Sequence, residues 1–144
     1  MKTMLKGSPL SIALGLLLTA APAMADGWPP AVDGTWAVVG NQSLGNLKIV
    51  QYPGAAGSQC KPIRGTIYGD DSIEGFYCPG SGRISFLRYV GATTLPKQHW
   101  SGNLSQSVQG QPLRIGGLFA TFDHNNVVGG VGGSLGEYNF SATK

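Results

Sequence analysis

The sequence predicts an all-β protein, a small eight-stranded antiparallel up-and-down β-barrel closed by one disulfide. Three observations predict it. Glycine supplies 23 of 144 residues and charged residues only 12%, a balance suited to turns and close backbone packing rather than to long solvated helices. No stretch of a dozen residues repeats apolar side chains at i, i+3, i+4 and i+7. Short β-branched and aromatic runs alternate instead with turn residues, about ten residues apart, which is the rhythm of a barrel or sandwich.

The chain opens with Lys2 and Lys6, an apolar run from Leu10 to Ala21, and Ala23-Met24-Ala25, the small-x-small pattern that signal peptidase reads. Residues 1–25 are therefore expected to be a signal peptide cleaved after Ala25, followed by a leader over 26–33 and a single domain over 34–144. The expected location is the periplasm or the exterior. The apolar run is short of the roughly 20 residues that a membrane helix needs, so no spanning helix is expected. Ten Lys and Arg less Lys2 and Lys6 leave eight against seven acids, a net charge of +1. Nothing in that balance resembles the basic footprint of a nucleic-acid binder.

Strands are expected at 34–40, 45–52, 61–69, 72–78, 83–91, 97–106, 112–122 and 134–143. The connections are mostly of hairpin length, which pairs neighbours antiparallel in sequence order. The long stretch from Asp123 to Gly133 reads as a loop. Glycine recurs inside strand after strand, at Gly65, Gly75, Gly102, Gly117 and Gly136, where strands must coil sharply or facing side chains need room. Alternation sets Leu47 and Ile49 opposite Lys48, and Ile84 and Phe86 opposite Arg83 and Ser85. Arg88 follows on the inner face, at the barrel mouth or a bulge; the favoured reading is a strand end in water, because charged side chains are seldom buried unpaired. Cys60 and Cys78 are expected to pair in an oxidising compartment, and closing that loop is worth about 3 kcal/mol.

Little here supplies a catalytic constellation, and no cofactor or metal motif stands out, so an enzyme is not expected. His99 and His124 have no partner placed near them by sequence and read as surface or satisfied residues. Gly132-Gly133-Ser134-Leu135-Gly136 matches the hydrolase elbow in letters, but no helix follows it. Asp70, Asp71 and Glu74 lack the ligand spacing of a calcium loop and read as a solvated acidic turn.

Gly34-Thr35-Trp36 in the first strand, the eight-strand meander, Trp100-Ser101-Gly102 in the sixth and Gly136-Glu137-Tyr138-Asn139-Phe140 in the last together resemble the avidin and streptavidin family. More broadly they resemble the calycin barrels that include lipocalins. The resemblance implies a barrel whose open end holds one small ligand among aromatic walls, with Trp36, Trp100, Phe119 and Tyr138 as candidate ligand-binding residues. Barrels of that family often assemble, and the resemblance leaves the state open between a single barrel and a homo-oligomer. The polar groups that hold biotin in that family are replaced here by Val38, Pro96, Gln98 and Tyr138, so tight biotin binding is not expected. The leading expectation is thus an exported binding module for a small, partly apolar ligand or a surface partner. The alternatives are a secreted protease-inhibitor-like barrel, with residues 26–33 as an inserting tail unless they form a loose leader, and a structural protein whose aromatics merely fill the core. An outer-membrane barrel is disfavoured by short strands and by the absence of aromatic girdles.

Overall fold

The computed structural model describes residues 27–105, 110–128 and 131–144, with side chains omitted at 124–128 and 131–132. The expected signal peptide and its cleavage point lie outside the described residues. Eight antiparallel strands close into one barrel in sequence order: β1 (Gly34–Gly40), β2 (Ser43–Gln51), β3 (Lys61–Ile67), β4 (Asp71–Cys78), β5 (Arg83–Tyr89), β6 (Gln98–Leu104), β7 (Arg114–Val128) and β8 (Val131–Thr143). The seam is made by Ala37 against Thr143 through Gly40 against Phe140. No helix among the described residues is long and apolar enough to cross a membrane.

Period-two alternation builds the core. Trp36, Val38, Leu47, Ile49, Ile63, Ile67, Ile73, Ile84, Phe86, Trp100, Ile115 and Phe140 all point inward and are at most 5% exposed. Inward glycines let the strands coil tightly: a Cβ on Gly65 would lie 1.8 Å from the Lys48 carbonyl oxygen, and one on Gly75 would lie 2.0 Å from that of Ser85. Cys60 and Cys78 form the disulfide, which fastens the β2–β3 loop to the end of β4.

Two expectations are corrected. Of the stretch Asp123–Gly133, read as a loop for its glycines and asparagines, residues 123–128 and 131–133 instead prolong β7 and β8, with Asp123 opposite Gly133 and Val128 opposite Val131. Register shifts after Thr121 and Asp123 accommodate its irregular composition. Within the expected leader, residues 28–33 are neither loose nor a free tail. They fold under the barrel as a plug, so the folded unit begins before Gly34.

Three contacts of the plug satisfy aromatic polar groups turned towards the interior. The Trp28 indole donates to the Leu104 carbonyl at 3.0 Å, the Trp36 indole to the Val32 carbonyl at 3.0 Å, and the Tyr77 hydroxyl to the Pro29 carbonyl at 2.6 Å. Gln51 ties the same segment three times more, its side-chain oxygen accepting from the Val32 amide at 3.2 Å, its side-chain Nε2 donating to the Pro30 carbonyl at 3.3 Å and its backbone N–H donating to the Asp33 carboxylate at 2.6 Å. Gly82 leaves the space that Trp28 occupies, since a Cβ there would lie 2.2 Å from the indole. Lys144 donates to the Asp33 carbonyl and lies beside the Trp36 ring.

Candidate functional site

Opposite the plug, the β1–β2 and β3–β4 turns, the β5–β6 loop and the β7–β8 hairpin surround the other end of the barrel. Inside it lies a cavity of about 230 Å³ bordered by Gly40, Asn41, Ser43, Tyr68, Arg88, Gln98, Phe119, Thr121 and Tyr138. Its floor is aromatic. Trp100 stacks on Phe119 with ring centres 4.3 Å apart and on Phe86 at 5.6 Å, and Phe140 meets it edge-on at 4.8 Å.

Above that floor runs a chain of polar side chains fixed by strand register. Ile73 faces Arg88 across β4 and β5, Arg88 faces Gln98 across β5 and β6, and Gln98 faces Thr121 across β6 and β7. Arg88 donates to one Asp71 oxygen through Nε at 3.1 Å and through Nη2 at 2.5 Å, and to Gln98 through Nη1 at 2.9 Å. The Gln98 carbonyl oxygen also accepts the Trp100 indole at 3.0 Å, and its amide donates to Thr121 at 3.3 Å. Arg88 therefore sits in the mouth and not in water as the favoured sequence reading had it: its side chain is 16% exposed and that of Asp71 18%. The ion pair removes the objection to burying it. Burial pushes the Asp71 carboxyl up, but the Arg88 hydrogen bonds, the Gly91 amide and the Arg88 charge outweigh it and hold the group below its ordinary value.

Tyr68 is the residue that sequence alternation misplaces. It follows inward-facing Ile67 and should point outward, yet β3 has already ended, and φ of 54° turns the side chain back over the mouth. An aromatic residue in the left-handed region is strained. Its ring lies 6.1 Å from that of Trp100, and the Arg88 guanidinium stands 4.9 Å from the ring centre. Its hydroxyl is buried without a hydrogen-bond partner among the described residues. Burial raises its pKa, opposed by the Arg88 charge and by the Gly40 backbone N–H, whose approach to the hydroxyl falls short of a well-formed hydrogen bond.

The four candidate ligand-binding residues divide. Phe119 and Tyr138 border the cavity, and Trp100 forms its floor. Trp36 lies at the plugged end, 0% exposed and hydrogen-bonded to Val32, so it belongs to the core and not to the mouth. Sequence reasoning missed Tyr68, Asp71 as the partner of Arg88, and the Gln98–Thr121 link; the one signal available was that Arg88 broke the inner-face pattern.

Other sequence features dissolve in three dimensions. The acidic turn splits, with Asp71 inward on Arg88 and Glu74 outward, 3.5 Å from Arg64. No metal-holding cluster occurs among the described residues. His99 lies on the outer face against the Ser85 hydroxyl at 2.8 Å. Ser134 stands in β8 with no helix after it. A shallow groove of about 490 Å³ over β8 and β1 lies largely outside the barrel, around Val39, Glu137 and Asn139. No family profile matches the chain, and no curated protein matches it in sequence.

Proposed function

We propose that this protein is an exported binding barrel of the calycin type, which takes one small ligand into the mouth opposite the plug. The observation that carries the reading is the difference between the interior's two ends: one is sealed by the chain's own Trp28–Asp33 segment, and the other leaves about 230 Å³ between an aromatic floor and a prearranged polar chain. Ligand sites combine apolar walls with a few convergent polar groups in this way, and a cavity below about 300 Å³ suits a ligand smaller than a typical drug. Biotin fits poorly, because Val38 presents only hydrocarbon to the interior and Gln98 is already engaged by Arg88, Trp100 and Thr121. The disulfide agrees with a working place outside the reducing cytoplasm. The inhibitor reading loses its tail, because the segment that would enter a protease cleft is held beneath the barrel by hydrogen bonds to Leu104 and Tyr77.

Native mass spectrometry of the protein released gently from its own host tests the proposal. A small-molecule adduct that is retained by the wild type and weakened by Phe119→Ala supports it. A bare protein that also takes up nothing from a host small-molecule extract overturns it.

A further inference from the structure

The Tyr68 side chain is anomalous in several ways at once. Its backbone is in the left-handed region at φ 54°, where a bulky side chain is disfavoured. Its hydroxyl is enclosed and makes no hydrogen bond among the described residues, which costs more than leaving it in water. Its ring nevertheless lies on the aromatic floor beside Trp100 and beneath the Arg88 guanidinium. Two glycines make room for it: a Cβ at Gly40 would lie 2.4 Å from the hydroxyl, and one at Gly45 would lie 2.5 Å from the ring. These are the contacts of a guest in a pocket, held at the expense of the turn that supplies it.

Resting on the reading of the mouth as a ligand site, we infer that Tyr68 is a built-in stand-in for the ligand, and that the ligand is an uncharged, planar aromatic molecule about the size of a phenol. The surroundings set that chemistry. Arg88 borders the cavity already neutralised by Asp71, so the described residues lining it present no uncompensated charge to an ionic ligand. The space between Trp100 and Arg88 favours a flat π-face. The Tyr68 turn carries Gly69 directly after it, at φ 104° with open space around its α-carbon, and so has a place to pivot. Ligand entry exchanges the Tyr68 ring for the guest's ring, releases the hydroxyl to water and relieves the turn.

The probe is p-cresol, which reproduces the tyrosine side chain, and the measurement is NMR on protein carrying labelled tyrosine and tryptophan. Binding to the wild type is expected to abolish the cross-relaxation between the Tyr68 and Trp100 rings and to bring the Tyr68 hydroxyl back towards the ordinary tyrosine value. Tyr68→Gly, which suits the positive φ, is expected to bind the probe at least tenfold more tightly. Binding to the wild type with the Tyr68 ring still against Trp100, or equal or weaker binding by Tyr68→Gly, makes Tyr68 a fixed wall and overturns the inference while leaving the mouth a ligand site. Absence of binding by both proteins overturns this ligand class. Failure of the adduct experiment described above overturns the ligand site itself.

Discussion

At the plugged end, Trp28, Trp36 and Tyr77 each deliver their single polar hydrogen to a carbonyl of the same chain. At the mouth, the Tyr68 hydroxyl reaches none among the described residues, and its backbone is strained as well. The two ends use the same residue types in one continuous interior. The difference shows where burial has been completed for stability and where an incomplete arrangement persists, and such arrangements gather at sites that do something else.

Mutation is the direct way to break that contrast. Trp36→Ala should cost about 3 to 5 kcal/mol, the range for emptying a fully packed aromatic site. Tyr138→Ala, on a half-buried residue beside open space, should cost no more than about 1 to 2 kcal/mol. Urea unfolding of both variants checks this, and equal losses would erase the distinction between core and mouth.

The Asp71 to Arg88 pair sharpens it. Asp71→Asn should cost about 1 to 3 kcal/mol by weakening a charge-assisted link in the mouth. Because the folded state holds the Asp71 carboxyl below its ordinary value, the pair's contribution is complete above about pH 4 and disappears as the pH falls through the depressed value. Unfolding curves for wild type and variant should therefore converge in acid. A gap that stays constant down to strong acid would mean that the charge of Asp71 contributes nothing.

The smallest effect is expected at Tyr77, whose burial pushes its hydroxyl up to about 12. The neutral form is favoured in the folded state, so this stabilisation is full below about pH 10 and is lost as the pH rises towards the folded value. Tyr77→Phe should cost about 1 kcal/mol at neutral pH by leaving the Pro29 carbonyl unpaired. It should also flatten the alkaline fall in stability, monitored by the fluorescence of the three tryptophans, of which Trp28 and Trp36 lose their partners as the plug detaches. An unchanged alkaline profile would show that the plug does not depend on this hydroxyl.

How far these features could be read in the sequence depended on how local their causes are. Strand rhythm and alternation depend on near neighbours, so the barrel, the inward Leu47, Ile49, Ile84 and Phe86, and the disulfide were all legible. The plug was not, because the seat of Trp28 is built by Gly82 and Leu104, far along the chain. Arg88 announced itself by breaking a pattern, but register sets it opposite Ile73, so its partner Asp71 emerges only from the side-chain contact in three dimensions. Tyr68 was hidden by a single reversal of φ, which alternation cannot anticipate. The prolonged β7–β8 hairpin was hidden by composition, since glycine and asparagine suit loops and irregular ribbons alike.

The seam between β1 and β8 also sets the order of assembly. Every other strand pair is joined by a local connection, whereas Ala37–Gly40 must find Phe140–Thr143 across almost the whole domain. Hairpins therefore zip early and cheaply, and the ring stays an open, curled sheet with two unpaired edges until the final strand arrives. A chain synthesised from its N-terminus must keep the inner surface of β1 waiting until β8 has been made, and that interval is when it is most exposed to pairing with a neighbouring copy.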